Sequence, residues 1–292
     1  MSPSRPYRLA GMGVSAINRA ARWLGAASAL AVLSGCQPAK AGRSDDIGPT
    51  FVSLNPCLDA ILVEVAAPEQ ILALSHYSRD PAASSVDVNR ARSFGVTGGT
   101  AEEIIALSPD IVLASRFIAP ATLNALERAG LRVETFDSPF SSEASFDQIF
   151  QISNLAEHPA RGDELVQQIR FSVDKPEGDA GSAMVWQAGQ IVAGESSLVA
   201  EHLRWAGFSN HSAAQGLGQA DFVTLEAVLT EPPDLLLIAG DAAGQGHPVL
   251  GSLEGTHVAR FDPNLFYCGG PSIAQARERL VDIRAELEGA SE

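Results

Sequence analysis

Three cysteines, six histidines and one repeated acid are the side chains from which this 292-residue chain could build chemistry. The histidines are scattered without metal-ligand spacing, and no His-Glu-x-x-His occurs; His76 with His202 or His211 comes nearest to a convergent set. A hydrolase would need a Gly-x-Ser-x-Gly elbow, and Gly194-Glu195-Ser196-Ser197 stops short of one. Gly216-Leu217-Gly218-Gln219-Ala220-Asp221 has two glycines of a dinucleotide fingerprint but lacks the third and follows no strand. No Walker motif is present. Cys36, Cys57 and Cys268 are too few for a disulfide scaffold and do not fall at zinc-finger spacing. The side chains therefore point away from an enzyme and away from a resident cofactor or metal.

The repeated acid is more informative. Glu102-Glu103-Ile104-Ile105-Ala106-Leu107-Ser108-Pro109-Asp110-Ile111-Val112-Leu113 recurs in looser form as Glu226-Ala227-Val228-Leu229-Thr230-Glu231-Pro232-Pro233-Asp234-Leu235-Leu236-Leu237. Glu102 and Glu226 each stand seven residues before the proline of a Pro-Asp pair, and aliphatic strands follow both. Each copy reads as a helix ended by proline, a tight turn and a buried strand. Helix-Pro-Asp-strand is a common connection, so one copy carries little weight. Two copies at corresponding places in two half-chains imply two similar lobes.

The elements that must position these residues agree. Phe51-Val52-Ser53-Leu54 reads as a strand stopped by Asn55-Pro56, with a helix starting at Leu58-Asp59-Ala60-Ile61-Leu62. Strands follow at Ile71 to Leu74, Ile111 to Leu113 and Arg132 to Phe136, with helices at Ala101 to Leu107 and Ala121 to Ala129; later strands lie near Ala183 to Gln187, Leu235 to Ile238 and Val258 to Phe261. Apolar strands alternating with helices predict an α/β fold of two Rossmann-like lobes with parallel sheets. The expected lobes are 50–141 and 175–292, joined by a helical segment at 142–174. If its second part is one helix of about 15 residues it spans roughly 22 Å, a strut between lobes. A ligand cleft is expected at the junction.

The net charge of −15 repels polyanions and argues against nucleic acid as a partner. It also hides an asymmetry. Residues 1–35 carry Arg5, Arg8, Arg19 and Arg22 and no acid, and the apolar stretch Trp23 to Leu33 is too short to span a bilayer. This is an export signal. Leu33-Ser34-Gly35-Cys36 resembles the bacterial lipobox, whose cysteine is diacylated before cleavage; the alternative is an ordinary signal peptide cut nearby, with Cys36 incidental. Loss of the four arginines takes the balance to −19. Residues 36–49 read as a flexible tether.

From residue 51 to 290 the chain resembles the helix-linked class of bacterial ABC-importer substrate-binding proteins, which bind cobalamin, iron-siderophores and haem. The matching pieces are Val52-Ser53-Leu54-Asn55-Pro56, Ala73-Leu74-Ser75-His76-Tyr77-Ser78-Arg79-Asp80-Pro81, Glu102 to Leu113, Ala129-Gly130-Leu131-Arg132-Val133, Gly194-Glu195-Ser196, Trp205-Ala206-Gly207-Phe208-Ser209-Asn210 and Glu226 to Leu237. The resemblance implies a monomeric, non-enzymatic periplasmic protein, membrane-attached through lipidated Cys36, that works with a permease and its ATPase. It implies permease docking through Glu102 and Glu226, with Glu103 able to share or replace the first; the plainer reading makes these ordinary first-turn helix acids. It implies ligand contacts at the carboxyl ends of strands: Asn55, Pro56, Cys57, His76, Tyr77, Arg116, Phe117 and Phe140 on one lobe, and Trp186, Gln187 and the Asn264-Leu265-Phe266-Tyr267-Cys268 loop on the other. Cys57 and Cys268 would face each other across the cleft, either bonded or as two free thiols. Scarce cleft arginines favour cobalamin or a related corrinoid over an iron-siderophore or haem. A zinc- or manganese-binding importer component and an exported α/β hydrolase are the readings from other classes.

Overall fold

In each lobe an aspartate clips two neighbouring strands together at their amino ends. The carboxylate of Asp110 accepts hydrogen bonds from the backbone N–H (2.9 Å) and hydroxyl (2.7 Å) of Thr50. Thr50 leads into β1 (Phe51–Ser53) and Asp110 into β4 (Ile111–Ser115). In the second lobe Asp234 receives the N–H and hydroxyl of Ser182, both at 2.7 Å, joining β6 (Ser182–Gln187) to β8 (Leu235–Ala239). These bonds hold the Asp234 carboxyl below the usual carboxylate range. The repeated Pro-Asp thus has one structural purpose in both lobes: proline ends a helix, and aspartate sets the register of the central strand pair.

The computed structural model describes residues 47–240 and 244–290. The expected signal segment, Cys36 and the tether up to residue 46 lie outside the described residues. Around the clipped pairs, β2 (Ile71–Ser75), β3 (Val96–Thr97) and β5 (Arg132–Phe136) complete a sheet of order β3-β2-β1-β4-β5, and β7 (Ser209–Asn210) and β9 (His257–Arg260) complete one of order β7-β6-β8-β9. All pairings are parallel. Strand alternation divides each core in two. Phe51, Ile111 and Leu113 pack with α1 (Pro56–Val65), whereas Val52 and Val112 pack with Ile104 of α3 (Ala101–Leu107) and Leu126 of α4 (Pro120–Arg128). The remaining small helices are α2 (Val88–Arg92), α7 (Leu198–Trp205), α8 (His211–Ala214) and α9 (Leu225–Thr230). The edge strands β3 and β7 are two residues long, too short to show a period in sequence.

The linking segment corrects one expectation. Its two helical pieces are α5 (Ser142–Leu155) and α6 (Pro159–Arg170), and the second, expected as a strut of about 15 residues between lobes, has 12. They fold back on each other: Arg170 at the end of α6 pairs with Glu143 at the start of α5 (3.0 Å). The turn uses Glu157 at φ 64°. The hairpin adds no span because it returns the chain to its starting point. Phe146, Ile149, Ile152, Leu165, Val166 and Ile169 are buried in the first lobe's core.

The element shared by both cores is the C-terminal helix α10 (Ser272–Ala290). Its Ile273 is buried in the first lobe, and Ala276, Leu280 and Ile283 in the second. Between them the buried Arg277 donates to Ser142 Oγ (3.1 Å) and lies 4.9 Å over the Trp205 ring. Burial lowers its pKa, and the Glu201 carboxylate opposes that shift. Glu201 also accepts the Ser142 N–H at 3.0 Å, tying α7 to α5 across the lobes. Beside them His202 is fully buried, and burial together with the Arg277 charge pushes its pKa down to about 3, so the ring is neutral.

The α5–α6 crossing depends on Gly162, where a Cβ would lie 2.2 Å from Ser153 Oγ and 2.7 Å from its Cβ. Gly162→Ala should therefore force the hairpin apart and cost about 1–3 kcal/mol, read as a lowered urea midpoint. An unchanged midpoint would mean the crossing is looser than its geometry.

Candidate ligand-binding face

Parallel sheets gather their carboxyl-end loops on one face, and in the first lobe these loops carry aromatic side chains. After β1, Asn55 caps α1: its Oδ1 accepts the N–H groups of Cys57 (2.8 Å) and Leu58 (3.4 Å), with Pro56 in the first turn. After β2, a single 3₁₀ turn, His76–Arg79, exposes His76 and Tyr77, whose rings lie 4.0 Å apart. After β4 come Arg116 and Phe117, the latter 81% exposed. After β5 come Asp137 and Phe140, with Phe140 68% exposed. The second lobe adds Tyr267, which is half exposed. Large apolar rings left in water at one end of a lobe are the feature that needs explaining.

The one cation proposed for this face is already paired. Arg116 Nε meets the Asp137 carboxylate at 2.5 Å, and the Arg116 backbone N–H donates to the Phe136 carbonyl. Both side chains are well exposed. At the centre, Cys57 in the first turn of α1 is bonded to Cys268 in the loop before α10, with Cα atoms 5.0 Å apart. Beside the disulfide is a narrow hollow of about 20 Å³ lined by Asn55, Cys57, Ser115, Asp137, Pro139 and Tyr267 among others. A larger hollow of about 410 Å³ lies between α1, the 81–90 segment and the Asn264 and Gln275 side chains. That one shares only Asn264 with the expected ligand loops, and its walls carry no exposed aromatic ring.

Two expected ligand contacts are corrected. Trp186 is fully buried; its indole N–H donates to the Val223 carbonyl at 2.8 Å. Strand alternation explains this, because Trp186 shares with Met184 the face of β6 that packs toward Val228 of α9. Phe266 is also buried, stacked on Phe261 with centroids 4.1 Å apart. Gln187 stays half-buried at the end of β6. Asn264 links the lobes: its side-chain amide donates to the carbonyls of Pro81 and Ser84, both at 3.1 Å.

Sequence reasoning missed Asp59. Fully buried on α1, it accepts the Ser75 N–H (3.0 Å) and the Ser78 hydroxyl (2.6 Å) beneath the His76–Tyr77 turn. Burial pushes its pKa up to about 7, opposed by the Ser78 and Ser75 hydrogen bonds and the nearby Ser53 hydroxyl. A lone acid inside the apolar run Leu58 to Leu62 was the available signal.

The repeated acids occupy matching positions. Glu102 and Glu226 are each the second residue of a helix capped by threonine, Thr100 for α3 and Thr224 for α9, and both are exposed. Backbone N–H and the Thr224 hydroxyl hold the Glu226 carboxyl below the usual range. Glu103 is committed inward: it accepts the Thr97 hydroxyl (2.8 Å) and the Gly98 N–H (2.7 Å), and its pKa is lowered by both. Glu102 has no such tie among the contacts described.

The glycine motifs that mimic enzyme signatures are steric. A Cβ on Gly194 would lie 2.6 Å from the Gly218 backbone, so each short motif makes room for the other. Among the described residues no group of three or more His, Cys, Asp or Glu side chains could hold a metal ion, and no helix is long and apolar enough to cross a membrane.

The disulfide closes a separation of 211 residues, which in the chain-entropy model corresponds to about 5 kcal/mol. The double variant Cys57→Ser/Cys268→Ser should lose about 2–5 kcal/mol of stability and gain no further loss on adding reductant. Melting curves with and without dithiothreitol test this; an undiminished Tm in the variant would show the bond to be mechanically idle.

A model of the periplasmic binding protein family matches residues 51–251. No curated protein matches the chain in sequence. Among solved structures, a possible iron-binding periplasmic solute-binding protein from Staphylococcus epidermidis superposes with a TM-score of 0.67 at 18% identity, covering 82% of this chain and 99% of its own. The periplasmic heme-binding protein RhuT from Roseiflexus sp. RS-1 gives 0.64 at 20% identity, covering 84% and 100%. The periplasmic vitamin B12 binding protein BtuF of Vibrio cholerae gives 0.60 at 17%, covering 83% and 98%. At these identities the likeness is one of fold.

Proposed function

The chain belongs to the periplasmic binding protein family, and from that premise we propose that it is the lipid-anchored substrate-binding protein of an ABC importer, capturing a corrinoid and handing it to the permease. It acts outside the cytoplasm, held at a membrane through Cys36, and binds rather than transforms its ligand. The observation that carries the ligand class is the set of exposed rings at Tyr77, Phe117, Phe140 and Tyr267 on one face. Such rings offer a large, flat, low-entropy contact surface for a macrocycle. Solved relatives that bind haem or vitamin B12 support that class.

Charge separates the members of the class. A siderophore or a haem with its carboxylates would seek unpaired cations, and Arg116 is already engaged by Asp137. A corrinoid, with peripheral amides, needs none. Haem is the second reading, because His76 and Tyr77 stand together on the same face and either could meet an iron.

Titration of the purified protein with cyanocobalamin, haem and a ferric siderophore, followed by ligand absorbance, is expected to give saturable binding of the corrinoid. Phe117→Ala and Tyr77→Ala should each weaken it about twofold to twelvefold, in keeping with the loss of one ring contact. Binding of the siderophore alone, or of zinc and no chelate, would sink the reading.

Docking is assigned to Glu102 and Glu226, which present equivalent carboxylates from the two lobes. Permease arginines are their expected partners. Charge reversal at both, Glu102→Arg with Glu226→Arg, should abolish uptake in cells and leave ligand affinity unchanged. Glu103→Gln should instead lower stability, since it removes a local tie to Thr97 and Gly98. Lost affinity in the double reversal would reassign both acids to the fold.

A further inference from the structure

Beneath the His76–Tyr77 turn lies a carboxyl group with no part in the ligand and docking roles above. Asp59 Oδ2 receives the Ser75 N–H and the Ser78 hydroxyl, while Oδ1 is buried without a hydrogen-bond partner. Ser78 Oγ lies 3.3 Å from Ser84 Oγ, and the Ser84 carbonyl accepts the Asn264 amide of the second lobe at 3.1 Å. A continuous line of contacts therefore runs from α1, through both ends of the 76–84 loop, to the opposite lobe. We propose that Asp59 is a positioning residue for the ligand face: its carboxyl holds the 76–84 loop against the second lobe, and loss of its proton loosens that loop.

The surroundings leave the carboxyl dependent on its protonation state. The groups acting on it are Ser53 from β1, Ser75 from the end of β2 and Ser78 from the turn, and no charged side chain is among them. His76 and Arg79, on the same turn, are exposed. Burial raises the pKa from 3.8 to about 7, with the serine hydrogen bonds acting against it. In an open loop, water returns the carboxyl to ordinary behaviour. The closed loop is thus most favoured below about pH 4, opening grows by up to tenfold per pH unit between about 4 and 7, and the effect levels off above.

The consequence for affinity rests on the proposed ligand face, but the loop itself can be read without any ligand. Amide hydrogen exchange of the full ligand-free chain from about pH 5 to about pH 9, corrected for intrinsic rates, reports the opening directly. The wild type should show exchange at residues 75–86 rising with pH up to about 7 and then level, with β4 and β8 unchanged. Asp59→Asn keeps an acceptor oxygen and cannot ionise, so the slope should vanish. The same slope in that variant, or no slope in the wild type, overturns the proposal. If Asp59→Asn fails to fold, Ser78→Ala keeps the carboxyl and removes its link to the loop; it should exchange faster at every pH, and unchanged exchange also overturns it. Failure of the macrocycle titration would leave these outcomes untouched.

Discussion

The covalent bond between Cys57 and Cys268 is the constraint around which the candidate ligand face is organised. It fixes the first turn of α1 against the loop before α10, at the carboxyl edges of both sheets. Noncovalent ties surround it: Asn264 to the 81–84 segment, Gly270 N–H to Ser145 Oγ (2.6 Å), and Glu201 and Arg277 to Ser142. Because α10 is buried in both cores, the lobes cannot separate without exposing apolar surface. A ligand therefore meets a separation that is already set. Domain closure around it would have to work against a bond and a shared helix.

The acidity of the chain is distributed with purpose. Glu102 and Glu103 are neighbours in one first turn, yet their surroundings give them opposite tasks. Glu103 turns back to Thr97 and Gly98 and fixes the approach to α3, while Glu102 is left to the solvent. The second lobe reaches the same end with one acid, since Ala227 replaces the inward partner. Asp110 and Asp234 show the same economy of type: both are acids, but their charge is spent on strand register.

Regular elements were legible because their periodicity is strong. The helix Ala101 to Leu107 and the strand Arg132 to Phe136 stand at their expected bounds, and β4, β6, β8 and β9 start within a residue of theirs. What escaped were features set by tertiary contact. Two-residue edge strands have no period, and the α5–α6 hairpin depends on Gly162 meeting Ser153, a contact between distant turns. Trp186 and Phe266 read as ligand contacts because they end or follow strands, but a one-residue alternation sends the first inward and a partner ring holds the second. Asp59 escaped because an acid in a helix reads as a surface residue until its neighbours are known.

The two lobes share a plan but contribute unequally to the candidate face. The first supplies Tyr77, Phe117 and Phe140 on loops that follow three adjacent or neighbouring strands; the second supplies Tyr267 from the loop that also carries the disulfide. The exposed rings of the candidate face thus come mainly from the first lobe, and the second adds one ring beside the disulfide. Cys57–Cys268 and α10 tie the two lobes together, which leaves the carboxyl-end loops as the less constrained parts of the candidate face. Of these, the loop over Asp59 is tied down by serine hydrogen bonds and one asparagine, with Val86 just beyond it buried in the core, so its hold turns on the state of a single carboxyl.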